Sequence, residues 1–152
     1  MELGTIKFTV KSLTEVFNQM FSLLEVEDTN VWNVLLINID KDSNLYKDMV
    51  KQGVDNIHIE VRFENSYPLS PPFVRIIKPA FKPQTGHITQ GGSICAEVLT
   101  NQGWSPAINM ESLLITIKAI ISEDGRLGPR KAYTLESAKS SYKNMLSVHG
   151  WH

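Results

Sequence analysis

The chain has 152 residues, 42% hydrophobic and 20% charged, with a formal net charge of −1, which suits one globular domain with one core and excludes a disordered, fibrous or collagen-like chain. A near-neutral balance offers no basic field for nucleic acid. The longest apolar runs, VLLINI and LLITIKAII, fall short of the ~20 residues a bilayer-spanning helix needs, and the N-terminus lacks the apolar stretch of a signal peptide.

In chain order, IKFTV reads as a strand or as the lead into a helix. SLTE then reads as a capping box, Ser12 with Glu15, opening a short helix from about Leu13 to Met20. FSLLEVED and VWNVLLINID read as strands joined by a turn through Asp28 to Asn30, with DKDSN after the second as loop. IHIEVRFE alternates strictly: Ile57, Ile59, Val61 and Phe63 take one face and His58, Glu60, Arg62 and Glu64 the other. That is the pattern of an antiparallel sheet with one wet side, and it leaves His58 facing solvent. FVRII (73–77) is a further strand, reached through the proline-rich turn YPLSPP. From Lys78 to Thr100 the chain reads as loop, punctuated by Pro79, Pro83, Gly86, Gly91 and Gly92. Helical spacing returns in NMESLLITIKAII, where Met110, Leu113, Leu114, Ile117 and Ile121 recur behind Asn109 as N-cap. TLESAKSSYKNMLSVHG follows, with Leu135, Ala138, Tyr142, Met145 and Leu146 on one face between Thr134 and Gly150. The expected fold class is α+β, about four antiparallel strands and then helices.

The single cysteine, Cys95, lies in the irregular segment. One thiol makes no internal disulfide and no thiolate metal cluster, so Cys95 is a buried small hydrophobe, a surface thiol or a nucleophile in a reducing compartment.

Three short motifs follow one another between the sheet and the first long helix: YPLSPP (67–72), GGSIC (91–95) and WSPA (104–107). Together they resemble the ubiquitin-conjugating enzyme family, over roughly Val31 to Ile121. The tail YTLESAKSSYKNMLSVHGW looks like that of the divergent Q-type subgroup, which also favours GGxxC followed by LLTxxGW. The resemblance implies a four-stranded antiparallel meander flanked by helices, with residues 1–152 as one domain. It implies that Cys95 carries ubiquitin or a ubiquitin-like protein as a thioester, received from an activating enzyme and passed to a substrate amine or a ligase, in the cytoplasm or nucleus. No cofactor, metal, nucleic acid or membrane enters that chemistry. Gly91 and Gly92, without side chains, are read as the opening through which an extended glycine tail reaches the sulfur.

The family usually has a His-Pro-Asn triplet whose asparagine lies eight residues before the cysteine. The matching positions here read TGH, so His87 occupies the asparagine slot. His87 is then either a replacement hydrogen-bond donor for the tetrahedral oxyanion, a role for which Gln90 is a second candidate, or an ordinary loop histidine. Many members also carry an acidic residue after the first long helix, near the incoming lysine. Glu123 and Asp124 lie in about that place, Asp124 being the site candidate, and the alternative is a solvated turn. The resemblance further implies ligase docking at Leu69, Pro106 and Ala107, with Trp104 packed beneath, and contact with the activating enzyme near Lys7 and Lys11. Two other readings stand beside it. A catalytically weak or inactive conjugating-like binding module, of the variant or RWD type, is opposed by Cys95 in GSIC and mildly supported by the missing triplet. A cysteine hydrolase pairing Cys95 with His87 or His149 is disfavoured, since no helix N-terminus at the thiol lowers its pKa.

Overall fold

A computed structural model describes residues 21–28, 30–129 and 131–151; IKFTV, read as a strand or a helix lead-in, the helix over 13–20 and Lys7 and Lys11 lie outside the described residues. Strands β1 (Phe21–Asp28), β2 (Val31–Leu36), β3 (Ile57–Arg62) and β4 (Phe73–Lys78) form one antiparallel sheet in chain order. Val34 pairs with Ile59 and Trp32 with Val61; across the next ladder Ile59 meets Ile76 and Val61 meets Val74. Stiff β-branched side chains opposite one another on a pleat favour this pairing. All six are at most 2% exposed, so one face of the sheet is a continuous apolar layer. Helix α2 (Met110–Asp124) adds Met110, Leu113, Leu114, Ile117 and Ile121 to the same core. It starts where expected, with Asn109 Oδ1 accepting the Ser112 N–H at 2.8 Å.

Two expectations need correction. Helix α1 (Asn44–Gln52) stands between β2 and β3, where only a loop was read and no helix was expected within the run of strands. Ser43 Oγ caps it by accepting the Tyr46 N–H at 3.1 Å, and Gly53, at φ +67°, closes it. Leu45 and Met49 are its buried apolar side chains, with Tyr46 packed against the core beside them, too short a run for periodicity to register. The VWNVLLINID strand is correspondingly shorter, ending at Leu36 before Asn38 takes φ +53°.

The second correction concerns the polar face of the sheet, which is not wet. Asn33, Glu60 and Arg75 form one row across three strands and are buried. Glu60 Oε1 accepts from Arg62 Nε at 2.6 Å and Arg75 Nε at 2.9 Å, while Arg75 Nη1 donates to the Tyr133 carbonyl at 3.3 Å. His58 is half-buried with Nε2 2.9 Å from Asn33 Oδ1, and burial pushes its pKa down. Strand alternation reads the same whether the polar face meets water or a layer of paired charges.

Helix α3 (Leu135–His149) runs between its Thr134–Ser137 capping box and Gly150 at φ +66°. Ala138 and Met145 are buried on it but stand outside the main hydrophobic cluster. The helix is seated instead on the irregular segment that carries Cys95.

Candidate active site

The run expected as loop contains a small hairpin. Thr89 N–H donates to the Ser93 carbonyl at 2.8 Å, Gly92 N–H to Thr89 O at 3.0 Å, Ile88 bridges Ile94, and Cys95 N–H donates to His87 O at 2.7 Å. Ile88 and Ile94 are buried. Successive residues of a strand alternate faces, so the adjoining pair, His87 and Cys95, is turned outward. The spacing between them is the span of that hairpin. Its return arm is held to β4 through Ile76 N–H on Gly92 O at 2.8 Å.

Cys95 is half-buried and lines an open cleft of about 500 Å³ together with His87, Thr89, Gln90 and Asp124. Both further site candidates are therefore brought to the sulfur's cleft. His87 is exposed and holds φ +57°, a left-handed conformation that asparagine, aspartate and histidine adopt more readily than other side chains. Asp124 is the last residue of α2, and its Oδ1 accepts the Gly86 N–H at 2.8 Å. Glu123 faces another groove, beside Asp40 and Lys118, so the structure separates two acids that sequence could not.

His149, weighed from sequence only as a hydrolase partner, also belongs to this site. As the last residue of α3 it places Nε2 3.9 Å from Cys95 Sγ. Gly150 turns the chain so that Trp151 donates its N–H to Leu146 O at 2.9 Å and stacks its ring on His149, 4.5 Å between centroids and 19° between planes. Stacking on an indole restricts the imidazole to one orientation beside the sulfur. The thiol itself is pushed up by burial. It is protonated at neutral pH, and a base within reach has work to do.

Gly91 and Gly92 serve a different purpose from the one expected. A Cβ on Gly91 would overlap the Ser137 carbonyl oxygen and Ser141 Oγ of α3, and one on Gly92, at φ +101°, would lie 2.7 Å from Tyr133 Cβ. Both glycines are buried. A backbone does come close, but it is the protein's own helix. Ser137 Oγ donates to Gly91 O at 2.9 Å and the Tyr142 hydroxyl donates to Leu99 O at 2.7 Å. Helix α3 is thus fastened on both sides of Cys95, and His149 follows from that seat.

Away from the cleft, Leu69 is 81% exposed and Pro106 and Ala107 are exposed as well. Trp104 is buried beneath them and ties the two loops together, its Nε1 donating to Pro68 O at 2.8 Å. Among the described residues no group of three or more His, Cys, Asp or Glu is placed to hold a metal, and no helix is long and apolar enough to cross a membrane.

A family model described as ubiquitin-conjugating enzyme matches residues 7–147. Ubiquitin-conjugating enzyme E2 Q1 of Homo sapiens is 37% identical over 132 residues, covering 80% of this chain and 31% of that one, so the chain spans about a third of that relative's length. Ubiquitin-conjugating enzyme E2Q-like protein 1 of Mus musculus is 30% identical over 155 residues, covering 93% of this chain and 95% of that one. The solved structure of human ubiquitin-conjugating enzyme E2 G1 superimposes with a TM-score of 0.61 at 20% identity, over 78% of this chain and 93% of that one, a likeness of fold. The matched region takes in the sheet, the cysteine hairpin, helix α2 and α3 up to its last two residues, and on that ground the chain belongs to the ubiquitin-conjugating enzyme family, with relatives of the Q type.

Proposed function

We propose that the protein accepts the C-terminal glycine of ubiquitin or a ubiquitin-like protein as a thioester on Cys95 and passes it to a substrate amine, directly or with a ligase. The observation that carries this reading is the outward setting of Cys95 at an open cleft. A sulfur packed beneath the sheet would have no route to a threaded tail. In the first step the Cys95 thiolate attacks the thioester held by the activating enzyme, forming one thioester and releasing the other thiolate. In the second an amine attacks the same carbonyl; the oxyanion collapses to an amide, the amine proton goes to a base and the Cys95 sulfur leaves.

Each cleft residue has a place in these steps. His149, at 3.9 Å, takes the thiol proton. His87 donates a hydrogen bond to the oxyanion from its left-handed position, with Gln90 beside it. Asp124 keeps one carboxylate oxygen on the Gly86 N–H, fixing the loop, and offers the other to the acceptor amine. Leu69, Pro106 and Ala107 supply the apolar ligase contact. Residues 1–152 work as one conjugating domain in the cytoplasm or nucleus.

The test is incubation with activating enzyme, ATP and a panel of ubiquitin-like proteins. The wild type should form an adduct that thiol reductant removes, and Cys95→Ser one that resists reductant, an oxyester. No adduct with any modifier overturns the reading in favour of an inactive binding module.

A further inference from the structure

We propose that helix α1 is the buttress of the cleft and that Asp48 is a positioning residue for transfer from Cys95, an inference that rests on the thioester reading above. Strands β2 and β3 are antiparallel neighbours in unbroken register, Leu36 opposite Ile57, a connection that a two-residue turn can make. The chain instead spends residues 37–56 and a helix on it. One side of that helix, Leu45 and Met49, enters the core. The other contact surface, Asp48 and Gln52, one turn apart, reaches the chain just beyond α2.

Asp48 is 9% exposed and accepts three hydrogen bonds, from Arg126 Nε at 2.7 Å, Arg126 Nη2 at 3.1 Å and the Leu127 N–H at 3.1 Å. Gln52 Nε2 donates to Gly128 O at 2.9 Å. Residues 126–128 in turn form a ladder with the cleft loop. Lys82 N–H donates to Arg126 O at 2.8 Å, Gly128 N–H to Ala80 O at 2.9 Å, Arg126 N–H to Thr85 Oγ1 at 3.1 Å, and Phe81 bridges Leu127. The two arms of this ladder lead straight into the cleft, one to His87 and the other back to Asp124, where the Gly86 N–H on Asp124 Oδ1 closes the loop. A bidentate guanidinium–carboxylate pair sets direction as well as distance. Asp48 therefore governs where Asp124, with the Gly86 turn it holds, stands relative to the sulfur, while His87 and Cys95, joined by the Cys95 N–H on His87 O, belong to the hairpin that has its own attachment on β4.

That division predicts a split between loading and release. Asp48→Ala should charge Cys95 from the activating enzyme within about twofold of wild type. Discharge of the purified thioester to free lysine should slow by about tenfold, short of the hundredfold that a misplacement of about 1 Å can cost. Asp48→Asn, which keeps an acceptor for the Leu127 N–H, should fall between the two. Gln52→Ala, which removes one anchor from a half-buried side chain, should slow discharge by about threefold, and it serves if Asp48→Ala does not fold. Loss of charging and discharge in equal proportion, or discharge at the wild-type rate in folded variants, would overturn the proposal. Failure of the wild type to charge would instead overturn the thioester reading itself.

Discussion

Replacing Gly91 by alanine adds one methyl group at the seat of α3. Gly91 has no left-handed φ, so alanine suits the backbone and the cost comes from space alone. The new Cβ overlaps the Ser137 carbonyl oxygen and Ser141 Oγ and lies 2.5 Å from the Ser137 carbonyl carbon, about 1 Å inside the ~3.5 Å of carbon–carbon contact. The obstacles are backbone and first side-chain atoms of one helix, so relief means moving α3 by about 1 Å. That movement breaks the hydrogen bonds of Ser137 to Gly91 and of Tyr142 to Leu99, about 1 kcal/mol each, on top of about 1–3 kcal/mol of overpacking. The expected loss is about 3–5 kcal/mol, and a domain of this size shifts by about 2–4 °C per kcal/mol, so Tm should fall by about 6–20 °C. A thermal melt paired with the charging assay decides it. A melt within 1 °C of wild type alongside abolished charging would mean that the glycine makes room for the incoming tail after all, and would refute the packing account.

The buried ion-pair layer makes its own prediction. Glu60→Ala leaves two guanidiniums without their carboxylate and should cost about 3 kcal/mol in a urea melt, the lower end for a broken buried pair because Arg62 retains some solvent; a loss under about 1 kcal/mol refutes it. Burial by itself would raise the Glu60 carboxyl, but Arg75 and Arg62 outweigh it and hold the group below the usual range, and hydrogen bonds from Arg126 hold Asp48 low as well. Stability from groups of this sign is present above the unfolded carboxylate values near about 4 and is lost as pH falls through the folded ones. From these two carboxylates the urea midpoint should therefore hold between pH 7 and about 5 and drop below about 4, on top of the decline that His58, held low by burial, brings as pH falls below about 6.5, and a Glu60→Gln, Asp48→Asn double variant should show a shallower limb below about 4. For the thiol, raised by burial, alkylation by iodoacetamide should climb steadily with pH through 8 and above; His149→Ala should slow it about tenfold at pH 7, below the full range of general-base effects because the contact is long. An unchanged alkylation profile in that variant removes His149 from the proton transfer.

Much of the fold is legible in the residue order because strands and long helices are written in local periodicity. Ile57, Ile59 and Val61 alternate, Leu113, Leu114, Ile117 and Ile121 recur every three or four residues, and the meander and α2 follow in place. Cys95 is singled out by composition and by its neighbours in GGSIC. His87 lies in its cleft because the interval between them is that of a hairpin. Helix α1 escapes the same reading because its core contacts, Leu45, Tyr46 and Met49, fall within little more than one turn and make no period, and its caps, Ser43 and Gly53, equally suit a turn.

The remainder was settled only by segments meeting in space. Asp48 finds Arg126 across 78 residues, Ser137 reaches Gly91 across 46, and His149 comes to Cys95 across 54. No local pattern carries those pairings. An alternating strand shows which side chains share a face but not what covers it, so a buried Glu60 looks like a solvated one. A pair of glycines shows that something must come close, and only the packed chain decides that the visitors are its own helix at Gly91 and the Tyr133 side chain at Gly92, because close approach is a property of two surfaces and the sequence at the glycines describes one of them.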